Sequence, residues 1–252
     1  MRLIFTIAAR ELKTLFLSPL AWSILGLLQF ILAYLFLTQV DAYAMLQPRL
    51  AALETAPGIT DLVVTPLYGS AAIVLLLIIP LLTMRLISEE RRSKTLPLLI
   101  SAPVSNHEII LGKYLGVVTL LLIMVLMISV MPLSLLAGGE LDFGKLFANI
   151  LALTLVLASF AAIGLYLSCV ASHPTIAAIG SFSALLLLWI LDWTSGLHPG
   201  YNAILEYLSM LSHFQNLQSG LIASRDLCYF LLFSATFLLL SIHRLDYERL
   251  QK

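Results

Sequence analysis

The sequence has little charge. Of its 252 residues, 14 are Lys or Arg and 14 are Asp or Glu, so charged residues make up 11% of the chain against an apolar share of 60%. An ordinary soluble domain carries about 25% charged and about 45–50% apolar residues. This composition excludes a water-soluble fold and indicates a polytopic membrane protein. The formal net charge of zero excludes the strongly basic surface that a nucleic-acid partner would require. Cysteine is almost absent: Cys169 and Cys228 fall at opposite ends of their expected crossings, a bilayer apart. Neither a disulfide nor a thiolate metal site within the chain is expected, and both read as apolar fillers.

Other absences narrow the chemistry. A phosphate-binding loop needs Gly-x-x-x-x-Gly-Lys-Ser/Thr, whose backbone amides cradle the phosphates and whose hydroxyl holds magnesium. Gly112-Lys113 is followed by Tyr114 and has His107 where the first glycine should stand, and Gly144-Lys145 falls in an expected outer loop. The stretch with Trp193, His198, Glu206, His213 and Asp226 carries no His-x-x-x-His or His-Glu pair on one helix face, as a metal site in a span would need. No convergent acid, base or nucleophile is present, so neither catalysis nor a cofactor or metal is expected in this chain. The apolar runs hold almost no ionisable group; Gln29, Ser129, Asn149 and Ser159 are their main polar side chains. Ion-coupled transporters place Asp, Glu, His or Arg near the midplane, so any transport here needs an external energy source.

What the chain does have is a set of long charge-free intervals. An ionised side chain at the bilayer centre costs roughly 2.5–3.5 kcal/mol, and a crossing takes about 20 apolar residues. Six crossings are expected, near 20–38, 67–87, 114–136, 147–170, 175–192 and 226–243; the fourth and fifth are separated by Ser172-His173-Pro174, a polar break ending in a residue that interrupts a helix. With the N-terminus inside, the cytoplasmic segments hold Arg2, Arg10, Lys13, Arg85, Arg91, Arg92, Lys94, Lys113, Arg244, Arg249 and Lys252, and the outer ones only Arg49, Lys145 and Arg225. This asymmetry puts both termini in the cytoplasm. The first apolar run is long enough to span and has no small-residue cleavage site, so it reads as a retained helix.

Three polar segments stand out. On a helical wheel, residues 1–18 place Ile4, Ala8, Leu12, Leu15 and Phe16 on one arc and Arg2, Thr6, Arg10 and Lys13 on the other, the pattern of an interfacial helix. It reads either as a basic topogenic leader or as a cytoplasmic elbow holding the first span, with Arg10, Glu11 and Lys13 as its charged positions. The loop 88–112, with Glu89, Glu90, Arg91, Arg92, Lys94 and Thr95 before the apolar Leu98-Leu99-Ile100 and the Pro103-Val104-Ser105 turn, is either a solvated positive-inside loop or a docking element. Its mixed charge suits a protein partner better than anionic lipid, which selects nearly all-basic segments. The outer segment 193–225 is too polar to cross and suits an amphipathic or re-entrant helix. It ends at Arg225-Asp226, either an interfacial anchor with Asp226 at the helix N-terminus or a salt bridge fixing an outer gate.

The run Glu89-Glu90-Arg91-Arg92 to Thr95, Leu98-Leu99, Ala102-Pro103-Val104-Ser105 and Glu108-Ile109-Ile110-Leu111-Gly112-Lys113 resembles the signature of ABC-2 type permeases. Arg225-Asp226-x-x-Tyr229-Phe230 is similar to the opening of the last helix in the gliding-motility type. Lys94 stands where that family often has Gly, and Pro97 where it often has Glu. The resemblance implies an all-α membrane domain over 1–252 with six transmembrane helices, an N-terminal interfacial helix, a coupling helix between the second and third spans and short outer helices before the sixth. It implies an ATPase-coupling interface at Glu89, Glu90, Arg91, Arg92, Thr95, Leu98, Leu99 and Pro103, and an outer gate or anchor at Arg225, Asp226 and Tyr229. ATP and magnesium would be held by a separate cytoplasmic ABC ATPase subunit. A second permease copy or homologue, membrane lipid and an extracytoplasmic accessory protein are the other partners implied. The expected role is an exporter subunit in a bacterial inner membrane for an amphipathic, lipidic or polymeric substrate, the alternative being a non-transporting subunit that transmits force to extracytoplasmic proteins.

Overall fold

The computed structural model describes residues 2–50, 57–95, 104–137, 141–190 and 209–250, and these residues are helical with short turns. In chain order they form α1 (Arg2–Leu17), α2 (Pro19–Leu50), a π-helical turn (Thr60–Val64) leading into α3 (Thr65–Thr83), α4 (Ser88–Arg92), α5 (Asn106–Leu133) with a 3-10 turn (Ser134–Ala137), α6 (Phe143–Val170), α7 (Pro174–Ile190), α8 (Met210–Gln218) and α9 (Ser224–Leu250). Among the described residues, five helical stretches are long and apolar enough to cross a membrane: Pro19–Arg49, Thr60–Arg92, which includes a turn at 84–87, Asn106–Leu136, Phe143–Val170 and Ser224–Arg249. The fifth expected crossing corresponds to α7, which is apolar but shorter, and residues 191 and 192 lie outside the described part.

Helix starts follow local chemistry. Pro19 and Pro174 open α2 and α7, where a missing N–H costs nothing and φ is already helical. Asp142 caps α6, its Oδ1 accepting from the amides of Gly144 at 2.9 Å and Lys145 at 3.1 Å. Ser105 and Glu108 form a reciprocal capping box at the start of α5, so that helix begins well before the expected 114. Helices α2 and α9 also run past the expected 38 and 243, because charged residues mark where hydrocarbon ends rather than where a helix does.

Helix α6 is the central element. Its apolar window is 61% buried, against 28% for α2, and α3, α5, α7, α8 and α9 all pack on it. Close approach to α3 depends on Gly164, since a Cβ there would lie 2.1 Å from Thr83 Oγ1. Polar side chains in the bundle join helices to one another: Tyr68 and Ser129 hydroxyls meet at 2.8 Å, and Ser159 meets Ser234 at 3.1 Å. Such bonds satisfy polar groups that hydrocarbon would leave without a partner. Cys169 is a buried free thiol and Cys228 an exposed one. They lie at opposite ends of the bundle, Cys169 beside Arg91 and Glu248 and Cys228 near the start of α9.

The bundle has two polar ends. The terminal end gathers Glu11, Glu90, Arg91, Lys113 and Glu248, so the two chain termini approach the same end. The far end holds Asp61, Lys145, His213 and Asp226.

Candidate functional site

The site at the terminal end is built around α4, a five-residue helix. Its start is fixed to α6 by one hydroxyl: Ser168 Oγ accepts from Ile87 N at 3.0 Å and Ser88 N at 3.1 Å, and donates to Met84 O at 3.1 Å. Its end is a Schellman turn, in which Lys94 N donates to Arg91 O at 3.2 Å and Thr95 N to Glu90 O at 2.9 Å. The turn requires a left-handed residue, and Lys94 supplies it at φ 58°. Glycine adopts this conformation without cost, whereas a side chain costs about 1–2 kcal/mol. The turn therefore supplies a physical reason for a glycine at this position.

Glu90 and Arg91, adjacent in sequence, reach in opposite directions. Glu90 Oε1 lies 2.9 Å from Lys113 Nζ on α5, and the same ammonium lies 3.3 Å from Glu11 Oε2 on α1. Arg91 donates through Nη2 to Cys169 O at 2.5 Å and to Glu248 Oε1 at 2.6 Å, and through Nη1 to Val170 O and Ala171 O, each at 3.2 Å. The guanidinium thus caps carbonyls at the C-terminus of α6, the end where the helix dipole favours a cation, and ties that end to α9. One short helix joins α1 and α5 on one side to α6 and α9 on the other. Asn106 Nδ2 closes the ring by donating to Asp246 Oδ1 at 2.6 Å.

Helix α1 sits against α5 through two glycines. A Cβ on Gly112 would lie 2.7 Å from Ile7 Cβ, and one on Gly116 would lie 2.9 Å from Glu11 Cβ and 3.1 Å from Ala8 O. The Gly-x-x-x-Gly spacing lets two backbones meet closely and brings Glu11 within reach of Lys113. In Gly112-Lys113 the glycine admits α1 and the lysine holds it.

Glu89 is half-buried; Arg92 and Thr95 are exposed, as are Arg10 and Lys13 of α1. Leu98, Leu99 and Pro103 lie outside the described residues. At the far end Asp226 occupies the first turn of α9 and is buried, its Oδ1 2.5 Å from His213 Nδ1 on α8. Tyr229 stacks on the His213 ring with centroids 4.2 Å apart, and Arg225 is exposed. A second far-end pair joins Lys145 Nζ to Asp61 Oδ1 at 2.7 Å. Among the described residues, no three His, Cys, Asp or Glu side chains converge as a metal site would require.

Sequence reasoning did not assign Ser168, Asp246, Glu248 or Lys113 to the site. Lys113 had a readable signal, a lone cation opening an apolar run. The Ser105-x-x-Glu108 spacing of a capping box was also present.

Residues 5–245 match the family model described as ABC-2 family transporter protein. The chain belongs to the ABC-2 transporter family. It is therefore a membrane permease component of an ABC transporter, of a kind that lacks an ATPase domain and works with a separate ATPase subunit. No curated protein sequence matches it. The terminal-end network of this permease is centred on residues 87–113 and links them to α1, α6 and α9.

Proposed function

We propose that the permease is the membrane subunit of an ABC exporter and that α4 is the part through which the ATPase moves it. The observation that carries this reading is the divergence of Glu90 and Arg91. A displacement of α4 would be felt on one side by α1 and α5 through Lys113, and on the other by α6 and α9 through the carbonyls at 169–171 and Glu248. The exposed residues Arg92 and Thr95, with the following segment that contains Leu98, Leu99 and Pro103, form the contact with the ATPase. Glu90 and Arg91 transmit its motion within the permease.

In this reading the terminal end is cytoplasmic, α1 is an interfacial elbow, and α7 completes six crossings. Seventeen residues span about 25 Å at 1.5 Å each. Support for that crossing comes from its surroundings: α7 starts beside α4 at the terminal end, and the chain returns in α8 at the far end, against α6 and α9. Two copies, or one with a homologue, enclose the path, and its apolar character suits an amphipathic, lipidic or polymeric substrate. The motif Arg225-Asp226-x-x-Tyr229-Phe230 supports a gliding-motility type of permease, and the bacterial inner membrane as its location.

The test is co-purification of the permease with its ATPase. Reversing Glu90 and Arg91 would break bonds inside the permease, so exposed Arg92 is the cleaner probe. Arg92→Glu is expected to lose the ATPase while the variant remains folded; retention of the ATPase with full nucleotide turnover would overturn the docking role. Reconstitution into vesicles separates an exporter from a force-transmitting subunit: substrate-dependent turnover marks the exporter, and turnover that depends only on an extracytoplasmic partner marks the alternative.

A further inference from the structure

Helices α3 and α4 follow one another in the chain and are separated by a turn at 84–87. Nothing local explains the break. The run Leu81-Leu82-Thr83-Met84-Arg85-Leu86-Ile87 contains no proline, glycine or serine, and leucine, methionine and arginine are good helix formers. Pro80 disturbs the ladder towards Leu76 rather than beyond itself, and Met84 N still donates to Pro80 O at 3.0 Å. Nor does α4 carry a cap of its own: Ile87 stands at the N-cap position and makes no side-chain cap bond.

The source of the break lies on α6, 80 residues from Ser88. In an unbroken helix Ile87 N would donate to Thr83 O and Ser88 N to Met84 O. Both amides donate instead to Ser168 Oγ, at 3.0 and 3.1 Å, and Met84 O accepts the hydroxyls of Ser168 and Ser88 in place of an amide. A side chain inserted into the i→i−4 ladder is one of the few causes of a sharp helix bend. Gly164, one turn earlier on α6, admits Thr83 and so brings the Ser168 hydroxyl within reach. Thr83, Ile87, Ser88 and Ser168 are each 0% exposed, so solvent has no access to take the place of that hydroxyl.

We propose that Ser168 is a positioning residue that sets a two-state hinge between α3 and α4. In the bent state its hydroxyl occupies the ladder, and α4 lies against the end of α6, where Arg91 caps the carbonyls at 169–171. In the straight state the amides of Ile87 and Ser88 return to Thr83 O and Met84 O, α3 runs on into α4, and α4 leaves the end of α6. Ser168 Oγ then has the Gly164 carbonyl, four residues back, as its acceptor. Two amide bonds to Ser168 are exchanged for two within the helix, so the states differ little at the ladder itself and a modest force on α4 selects between them. There is room for the change: a cavity of about 430 Å³ lies beside α4, lined by Leu86, Glu89 and Glu90 and by residues of α1, α2, α3 and α5 but none of α6. The hinge rests on the reading that the ATPase moves α4, and it names the joint on which that motion turns.

The test is double electron–electron resonance on the full chain without ATPase, with exposed Arg92 and Ser172 each replaced by a ketone-bearing residue that carries a spin label, together with amide exchange at Ile87 and Ser88. The chain with Ser168 intact is expected to show a short separation between α4 and the end of α6 and a minor long one. Ser168→Ala is expected to raise the ratio of long to short about tenfold, the worth of the two amide bonds lost from the bent state, with both amides still protected. An unchanged distribution in the folded variant would overturn the hinge. So would a long distribution with fast exchange at both amides, because α4 would then have frayed instead of joining α3. If Ser168→Ala does not fold, Ser168→Cys, of similar size and a weaker acceptor, is expected to give a mixed distribution, and a short separation alone would overturn the proposal. Because no ATPase is present, the hinge can fail while Arg92→Glu still loses the motor, and the docking reading can fail while the hinge stands.

Discussion

Each end of the bundle has a lysine bridge, and the two differ in what they join. Lys113 is 7% exposed and lies between Glu11 and Glu90, so that three separate elements share one ammonium. Lys145 is 31% exposed and, among the described residues, pairs only with Asp61, itself 39% exposed. The surroundings differ in the same sense. The far end is sealed by rings: His213 stacks on Tyr229, Tyr229 on Phe233, and Phe230 meets Tyr229 edge to face. The terminal end instead has a cavity, a short helix held by hydrogen bonds at both ends and two glycines under α1. Ring contacts join the helices at the far end, and charge pairs beside a cavity join them at the terminal end. On the proposed reading, the far end holds and the terminal end transmits.

The largest effect that would sharpen this contrast is expected at the far end. His213→Leu leaves the Asp226 carboxylate, 5% exposed, without its histidine. Removing one partner of a buried pair costs about 3–5 kcal/mol, so the variant should unfold in detergent at a clearly lower temperature. A change within error would show that this end does not depend on the α8–α9 pair.

The lysines come next. Lys113→Met leaves Glu11 and Glu90 facing each other; because both carboxylates are partly exposed, at 20% and 28%, the cost is discounted to about 1–2 kcal/mol. Lys145→Met should cost less than about 1 kcal/mol, as solvated pairs do. Thermal unfolding of both variants in one detergent and salt checks the ranking, and equal losses would contradict the asymmetry. Lys113→Met should also expose α1 to protease, which Lys145→Met should not.

The smallest effect is at Lys94. Lys94→Gly removes a side chain from a left-handed position and should stabilise the α4 turn by about 0.5–1 kcal/mol. Slower amide exchange at Thr95 N, which donates to Glu90 O, would report it.

Much of this was legible in the linear pattern, and what was not has a common cause. Charge-free runs marked the apolar cores of all five long helices, because burying an ion in hydrocarbon is costly wherever it occurs. They did not mark helix ends, since α2 continues past Asp41 as far as Leu50 and α5 starts at a capping box. The polar loop around Glu89–Arg92 stood out from its surroundings by its composition. Its wiring did not, because Arg91 could as well have faced solvent. Its partners are the carbonyls at 169–171 and Glu248, more than seventy residues away, and only the packing of α6 against α9 brings them together. The same holds for His213 and Asp226, which sit on different helices joined by a turn at Gly220 with φ 91°. The sequence showed which side chains were polar; the fold determined which of them met.

The most direct measurement is a crosslink at position 92. In a permease with exposed Cys228 replaced by serine, Arg92→Cys bearing a short thiol-reactive photocrosslinker, assembled with the ATPase, should join the two subunits with a yield that changes when nucleotide is added. The same probe at Lys145→Cys should not capture the ATPase at all. Capture from position 145, or a silent position 92 in a complex that still hydrolyses ATP, would contradict the assignment of the terminal end as the one the motor moves.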